Sequence, residues 1–244
     1  METFQEFDQP RNPQKTTGEI ISHAFETYKG IFLYALLAMV IYIVASMIVQ
    51  AVSGFDSKII MEEMRDSGND FSSIKIWEIP GVKTYYGFSG LLGVLMAPLY
   101  VGLIYIANKF NFKQPIQFSD LFIGYKQNFL NIVIYSIISS LILGIAFAMC
   151  ILPGFFVLPF LLLGYPILLF ENESFGEALN KAFNVAKENY GVMLGVSVLG
   201  LLISISGVLL CGIGVLATAM FFLAVMYSAY CAFLGTPRQI EFKN

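Results

Sequence analysis

The stretch "FNVAKENY", residues 183–190, decides the fold because it carries the last charges before a long apolar run. Residues 189–237 contain no Asp, Glu, Lys or Arg, and the same holds for residues 30–55, 84–108 and 127–170. A helix that crosses the bilayer core needs about 20 predominantly apolar residues. The two shorter runs each fit one crossing and the two longer runs each fit two, so the sequence predicts six transmembrane helices.

The composition excludes an ordinary soluble domain. Of the 244 residues, 57% are hydrophobic and only 13% are charged, whereas a soluble domain carries about 25% charged residues. Four charge-free runs leave too little polar surface for a soluble protein. No basic cluster suggests nucleic acid as a partner, and membrane lipids and other membrane proteins are the partners that this composition favours.

The pattern Phe-x-x-x-Lys-x-x-aromatic occurs three times, each time before an apolar run. We call these residues the first, second and third phrase: "FETYKGIF" (25–32), "FIGYKQNF" (122–129) and "FNVAKENY" (183–190). Aligned on their lysines, they share apolar positions at the spacing of one helical stripe. The residues that define the pattern are Phe25, Lys29, Phe32, Phe122, Lys126, Phe129, Phe183, Lys187 and Tyr190.

This stripe predicts three amphipathic helices that lie in the membrane interface. Each phrase lysine (Lys29, Lys126, Lys187) would rest its stem on apolar surface and hold its ammonium among the headgroups. The phrase is then the hinge where the chain leaves the interface and enters the lipid. Three ordinary membrane loops with a chance similarity are the alternative.

Two of the three copies also share a helix start. Thr16 and Glu19 in the first copy, and Ser174 and Glu177 in the third, have the spacing of a capping box. The second copy lacks this signal, and we expect its helix to begin near Ser119 or Asp120.

The sequence therefore predicts an all-α membrane protein with six transmembrane helices arranged as three hairpins, each preceded by an interfacial amphipathic helix. The chain forms one integral membrane domain, residues 1–244. A polar tail (1–15) precedes repeat 1 (16–108, with an outer loop at 54–84), repeat 2 (109–170) and repeat 3 (171–235), and a short tail (236–244) follows.

Local signals refine this plan. Lys58 to Arg65 favours a short helix in the outer loop, and Ser73 to Ile79 favours a short strand or extended segment. Residues 152–154, Leu-Pro-Gly, indicate the turn between the third and fourth crossings. Pro98, Pro159 and Pro166 are expected to kink the second and fourth helices.

The basic residues favour termini in the cytoplasm. Ten Lys or Arg residues lie on the side of the phrases and the termini, against four in the outer loop. The expected location is a bacterial cytoplasmic (inner) membrane, in which the chain is a multi-pass protein.

No catalytic or metal-binding motif is present in the sequence, and no cofactor is expected. His23 is the single histidine and is expected to be solvated on the polar face of the first amphipathic helix. Glu171 and Glu173 are the polar candidates, and they could form a catalytic pair or bind a cation. Two solvent-exposed carboxylates before a capped helix are the ordinary interpretation. A disulfide between Cys150 and Cys211 is conceivable, but helix packing by small apolar residues is the simpler interpretation.

Two stretches resemble a known family. "TTGEIISHAFETYKGIF" (16–32) and "YPILLFENESFGEALNKAFNVAKENYGVMLG" (165–195) are similar to the YciC-like bacterial inner-membrane proteins and to the membrane domain fused to some glycerophosphodiester phosphodiesterases. Six residues carry the second match: Glu171, Glu177, Ala178, Leu179, Lys187 and Asn189. The resemblance implies an α-helical polytopic protein with cytoplasmic amphipathic segments, from a family largely of unknown function, and it assigns no catalytic residue.

Three functions remain open from the sequence. The leading hypothesis is a non-enzymatic membrane protein that interacts with lipid as an organiser or accessory subunit, because the crossings lack charged residues at depth. A passive transporter or channel for lipid or a small neutral solute is the first alternative. A membrane enzyme that uses Glu171 or Glu173 is the second.

Overall fold

The structure is a computed structural model that describes residues 12–66, 75–149, 151–209 and 213–237. In these ranges the chain is almost entirely helical and contains no β-strand. The α-helices are α1 (Thr17–Ser53), α2 (Ser57–Asp66), α3 (Val82–Asn111), α4 (Ile123–Lys126), α5 (Phe129–Met149), α6 (Ile151–Leu161), α7 (Gly164–Phe170), α8 (Phe175–Glu188), α9 (Tyr190–Ser206), α10 (Ile213–Thr218) and α11 (Phe221–Leu234). Short 3₁₀ turns occur at Ile76–Glu78, Phe118–Phe122 and Gly207–Leu209.

Six helical stretches are long and apolar enough to cross a membrane, as the charge-free runs predict. We number them spans 1 to 6: Thr17–Ser53, Val82–Asn111, Phe129–Met149, Leu152–Phe170, Tyr190–Leu209 and Gly214–Leu234. The number and order of the spans agree with the predicted all-α polytopic membrane protein.

Burial alternates along the chain. In the apolar 18-residue stretch of each span, the buried share is 17%, 28% and 33% for spans 1, 3 and 5, but 56%, 61% and 67% for spans 2, 4 and 6. The second helix of each expected hairpin is therefore packed against protein on more of its surface than the first helix is.

The chain contacts divide the molecule into two compact units, whose boundaries fall within α1 and α3. The small unit comprises residues 39–96, and the large unit comprises residues 1–38 and 97–244. All residues of the candidate site described below belong to the large unit.

The large unit is built from packed hairpins. Helix α5 packs on α6, α9 packs on both α6 and α11, and α8 lies across α6 and α7. Small residues allow close approaches elsewhere: the backbone of Leu121 lies directly against Gly102, and the backbone of Pro98 lies against Gly124, so neither glycine has room for a Cβ atom. These contacts join the second phrase region to span 2.

Two spans of the large unit are interrupted. Span 4 breaks at Leu162 and Leu163, between α6 and α7, and lies between the two prolines that predicted a kink, Pro159 and Pro166. Span 6 breaks at Ala219 and Met220, between α10 and α11, where the sequence contains no proline. Helix α3 continues through Pro98.

The three phrases have different local structures. In the third, α8 ends at Glu188 and α9 begins at Tyr190. In the second, a 3₁₀ turn leads into α4, which ends at Lys126, and α5 begins at Phe129. The first phrase has no break, because α1 runs without interruption from Thr17 through Lys29 to Ser53. The hinge expected at Lys29 is therefore absent.

The small unit contains the outer loop. Helix α2 confirms the short helix predicted from Lys58 to Arg65. The extended segment predicted up to Ile79 is wrong for the described part, since Ile76–Glu78 form a 3₁₀ turn. Aromatic rings hold this unit together, with Phe55 4.9 Å from Tyr85 and Trp77 5.6 Å from Tyr86.

The turn predicted at residues 152–154 is also wrong. Helix α6 begins at Ile151, so Pro153 and Gly154 lie near its start. Backbone N–H groups in the first turn have no partner within the helix, and a proline is therefore tolerated there. Cys150 and Cys211, for which a disulfide was considered, lie outside the described residues. Cys231 is a free, buried cysteine in α11.

Candidate functional site

Polar side chains gather in the large unit where spans 2, 4 and 6 approach their C-terminal ends. Each of these spans is mostly apolar, yet near its end it carries hydroxyl, amide or carboxylate groups that bond to a neighbouring element. We call this set the polar belt, and it comprises His23, Asn108, Asn111, Glu171, Glu173, Lys181, Tyr227, Ser228 and Tyr230.

Tyr227 links span 6 to span 2. Its hydroxyl donates to the Asn108 Oδ1 atom at 3.1 Å and accepts from the Asn111 Nδ2 atom at 3.0 Å. Tyr227 is fully buried and Asn108 is 4% exposed. A buried hydroxyl without a partner is costly, so these two amides satisfy both hydrogen-bonding roles of Tyr227.

His23 is buried rather than solvated, which corrects the expectation from the sequence. Its side chain is 2% exposed, and its Nδ1 atom shares a 2.8 Å hydrogen bond with the Ser228 hydroxyl of α11. The His23 ring also lies 6.2 Å from the Tyr227 ring. The face of α1 that carries His23 is therefore a packing face against span 6.

Glu171 is held by two partners at the end of span 4. Its Oε1 atom accepts from the Tyr230 hydroxyl at 3.0 Å, and its Oε2 atom pairs with the Lys181 ammonium of α8. The Glu171 side chain is 21% exposed, so it is not a fully solvated carboxylate. Because both oxygens are engaged, Glu171 fixes α8 and α11 to span 4.

Glu173 lies beside this ion pair. Its Oε1 atom is 3.8 Å from the Lys181 ammonium, and its side chain is 28% exposed. Partial burial raises the pKa of the Glu173 carboxyl, Lys181 opposes that rise, and the neighbouring Glu171 adds to it. The two candidate carboxylates are thus brought together around one lysine, rather than separated in bulk water.

A second ion pair joins span 2 to the second phrase region. The Lys109 ammonium is 2.8 Å from the Asp120 Oδ2 atom, and both side chains are largely shielded, at 15% and 12% exposure. The same Asp120 oxygen accepts from the Gln117 backbone N–H at 2.7 Å and completes a capping box. Asp120 therefore caps the start of this helical segment and also connects the segment to α3.

His23, Asp120 and Lys181 occupy matching positions in the sequence. Each stands six residues before a phrase lysine, and each bonds to one of the three well-buried spans. The segments before the second and third phrases contact the well-buried span that precedes each of them in the chain, span 2 and span 4 respectively. The segment before the first phrase contacts span 6, the last span of the chain.

The phrase lysines differ from Lys109 and Lys181. Lys29, Lys126 and Lys187 are all exposed, and none of them has an ion-pair partner in the part of the chain that the structure describes. No group of three or more potential metal ligands occurs among the described residues either.

The phrase aromatics divide into exposed and partly buried rings. Phe25, Phe129 and Phe183 are 41%, 39% and 45% exposed. Phe32, Phe122 and Tyr190 are partly buried. The buried residues of the first segment are Ile20, His23, Ala24, Thr27, Tyr28 and Ile31. Three of them, Ala24, Tyr28 and Ile31, stand one residue before the phrase positions 25, 29 and 32.

Two apolar grooves lie beside the phrases. The first, of about 420 Å³, is bounded by Phe25, Tyr28, Lys29 and Phe32 of α1, and by residues of α9, α10 and α11. The second, of about 470 Å³, lies between α8 and the α5–α6 hairpin. One ring of a buried span closes each groove: Phe221 lies 4.6 Å from Phe25, and Phe160 lies 4.8 Å from Phe183.

The predicted helix caps have these geometries. At Ser174 a full capping box forms, since Ser174 N–H donates to Glu177 Oε2 at 3.0 Å and Glu177 N–H donates to Ser174 Oγ at 3.4 Å. Hydrogen bonds from Ser174 lower the pKa of the Glu177 carboxyl. At the first helix, the Glu19 N–H donates to Thr16 Oγ1 at 3.4 Å.

Most of the polar belt was not predicted from the sequence. Tyr227, Ser228 and Tyr230 stand in a charge-free run and read as ordinary membrane-helix residues. The spacing of Asn108 and Asn111 was the available signal, because amides three apart at the end of an apolar run share one helical face.

Comparison of the chain with family models, with curated proteins and with solved structures finds no match. The class of the molecule therefore follows from the spans alone: it is a polytopic α-helical membrane protein.

Proposed function

We propose that the chain is a non-enzymatic protein of a bacterial cytoplasmic membrane that binds membrane lipid as an organiser or accessory subunit. The observation that carries this proposal is the combination of an exposed lysine without an ionic partner and an exposed aromatic ring in all three phrases. Such pairs suit the headgroup region, where ammonium groups meet phosphates and rings meet the acyl boundary.

We further propose that the chain is a threefold internal repeat. In this plan each repeat consists of a phrase segment and a hairpin whose second helix is the better buried one. The equivalent contacts of His23, Asp120 and Lys181 and the alternating burial of the spans both fit three related units. The repeat would set three lipid-facing phrases around one molecule, and the resemblance to YciC-like proteins is in keeping with this architecture.

Lipid retention tests the proposal directly. The protein is extracted in a mild detergent, and the lipids and proteins that remain bound are identified by mass spectrometry. We expect phospholipids to be retained and the triple variant K29Q, K126Q, K187Q to retain fewer anionic lipids. A wild-type protein that retains no lipid above the level of an unrelated six-span protein would contradict the proposal.

A passive transporter for lipid or a small neutral solute is the second candidate, because spans 4 and 6 are interrupted. Interrupted helices form binding sites in many transporters. The two grooves are lateral and lined mainly by apolar side chains, which suits an acyl chain better than a polar solute. Flux in liposomes that rises in proportion to the amount of protein would favour this candidate over the first.

The enzyme alternative rests on the cluster of Glu171, Glu173 and Lys181. Both oxygens of Glu171 are engaged by Tyr230 and Lys181, and this weighs against Glu171 as a general base. A Glu171→Gln variant that is folded and retains lipid normally is expected under the lipid-binding proposal.

A further inference from the structure

The groove beside the first phrase has an apolar floor and a basic rim. Its floor is formed by Phe25, Phe32, Ile203 and Phe221, while Lys29 is the one charged residue among its lining residues. Its volume of about 420 Å³ lies in the range of small-molecule sites, about 300–1,000 Å³. Because the groove is bounded by residues of spans 1, 5 and 6, it lies within segments that can contact lipid.

Two hydrogen bonds connect the helices that line this groove. The Tyr28 hydroxyl donates to the Ala217 carbonyl at 3.0 Å, which ties α1 to the end of α10. The Thr218 hydroxyl donates to the Ser204 carbonyl at 2.8 Å, which ties α10 to α9. The interruption of span 6 at Ala219 and Met220 lies between two residues that line the groove, Thr218 and Phe221.

The charge at the rim indicates the occupant. The Lys29 ammonium is exposed and has no ionic partner among the described residues. An ammonium at the edge of an apolar groove complements a molecule with one anionic group and a hydrocarbon tail. The second groove is a natural comparison, since its lining contains Asn180 and no charged residue.

We propose that the first groove binds one acyl chain of an anionic phospholipid, and that the lipid phosphate pairs with Lys29. This inference rests on the proposed lipid-binding function and assigns it a site and a headgroup class.

The test uses the full-length protein and two probes with the same chains, phosphatidylglycerol and phosphatidylcholine, each with a photoreactive group in one acyl chain. Crosslinked peptides are mapped by mass spectrometry. We expect crosslinks to Ile203 or Phe221, and a roughly fivefold lower yield of phosphatidylglycerol crosslinks there in K29Q, as the loss of one ammonium near a headgroup predicts. The yield with phosphatidylcholine is expected to stay unchanged.

Three further variants sharpen the result. K187Q removes an equally exposed phrase lysine that lines neither groove, and we expect it to leave these crosslinks unchanged. Ala217→Phe fills the first groove and is expected to abolish crosslinks to Ile203 and Phe221 with both probes, whereas Val157→Phe fills the second groove and spares them.

Each other outcome overturns the inference. Equal losses in K29Q and K187Q would mean that only general surface charge attracts the lipid. Full crosslinking in Ala217→Phe would place the chain elsewhere, and an altered oligomeric state with unchanged crosslinking would make the groove a contact for a second copy of the protein. Crosslinks confined to other helices would defeat this site alone, whereas no lipid on the protein at all would defeat the proposed function.

Discussion

His23 shows at the scale of one residue how a polar group becomes part of the core. The sequence placed it on a polar helical face, beside Ser22, Glu26 and Thr27. In the structure that face packs on α11, and His23 is buried against Ser228, a residue 205 positions away in the chain. A helical pattern reports which residues share a face, but the partner of a polar face is a long-range contact that the pattern does not contain.

The hydrogen bond between His23 and Ser228 gives the first prediction. Ser228→Ala removes it in a buried environment, and we expect the free energy of unfolding to fall by about 1–3 kcal/mol. Equilibrium unfolding in mixed micelles measures the change. Ser206→Ala is the control, because Ser206 is exposed and its hydroxyl donates to the Ile203 carbonyl of the same helix. Equal effects of the two substitutions would show that the buried bond contributes nothing specific.

Glu177 gives a prediction about pH at the start of α8. Because Ser174 lowers the pKa of Glu177 in the folded protein, the charged carboxylate stabilises the helix start above the pKa of the unfolded chain. This contribution is lost as the pH falls through the folded pKa. The protection factor at the first turn of α8, which is the intrinsic amide exchange rate divided by the observed rate, should therefore fall as the solution is acidified below the ordinary pKa of a glutamate.

The substitution Glu177→Gln is the matched variant for this pH effect. It keeps a side chain that can accept from the Ser174 backbone but cannot titrate. We expect the protection factor in the first turn of α8 to lose most of its dependence on pH over the acidic range in this variant. A variant with the same acid response as the wild type would assign the response to another group.

At the scale of the element, the phrases differ because of the residue two positions after each lysine. That residue is Asn128 in the second copy, Asn189 in the third and Ile31 in the first. Asn128 adopts a positive φ of 51°, a conformation that asparagine tolerates and a β-branched residue avoids. Asn189 has a negative φ of −121°, and its side-chain Nδ2 donates to the Val185 carbonyl at the end of α8 at 3.0 Å. At the equivalent position Ile31 lies inside the continuous helix α1.

Gly30 also contributes to the continuity of α1. The Phe110 ring lies so close to Gly30 that a Cβ atom would overlap it, so the glycine serves a packing contact inside the helix rather than a turn. The hinge expected at this position rested on the similarity of the three phrases. The similarity covers the lysine and the aromatics, but both breaks occur at an asparagine, Asn128 or Asn189, which the first copy lacks.

The close approach at Gly102 gives a prediction about helix packing. Gly102→Ala would bring a Cβ atom into the backbone carbonyl of Leu121, which cannot rotate away as a side chain can. We expect a loss of at least about 1–3 kcal/mol in the free energy of unfolding, or failure to fold. Thermal unfolding and the yield of monodisperse protein in detergent report this result.

Gly144→Ala is the matched control for that substitution. Gly144 lies inside α5 and has open space where a Cβ atom would be, so alanine should be neutral or slightly stabilising because of its higher helix propensity. If Gly102→Ala were tolerated as well as Gly144→Ala, the contact between α3 and the Phe118–Phe122 turn would be looser than the structure shows.

At the scale of the whole molecule, the sequence predicted the class of protein and the number of spans, since charge-free length depends only on local composition. The interruption of span 4 was anticipated by its prolines. The interruption of span 6 at Ala219 and Met220 was not, because no residue there disfavours a helix. Two tertiary hydrogen bonds lie next to it: the Tyr28 hydroxyl donates to the Ala217 carbonyl, and the Thr218 hydroxyl donates to the Ser204 carbonyl of α9.

The hairpin plan predicts that all three phrases lie on one side of the membrane, and this prediction about topology can be tested by cysteine labelling. In a variant without the native cysteines, we expect Glu26→Cys and Asn184→Cys, both at exposed positions, to react with an impermeant maleimide from the same side. Met61 lies in the outer loop and is 72% exposed, and we expect Met61→Cys to react from the other side.

The result also determines the orientation. The excess of basic residues beside the phrases predicts that Glu26→Cys and Asn184→Cys are protected in intact cells and labelled after permeabilisation. Labelling of Glu26→Cys and Asn184→Cys from opposite sides would rule out the hairpin plan.

The alternation in burial between successive spans has a consequence for how the sequence can drift. In spans 1, 3 and 5, most of the apolar stretch is not buried against the rest of this chain. One apolar side chain there can therefore replace another at little cost in stability. Spans 2, 4 and 6 must fit neighbouring side chains, where a change of a single methylene group is felt. A saturation library scored for folded protein should therefore show three permissive stretches interleaved with three restrictive ones.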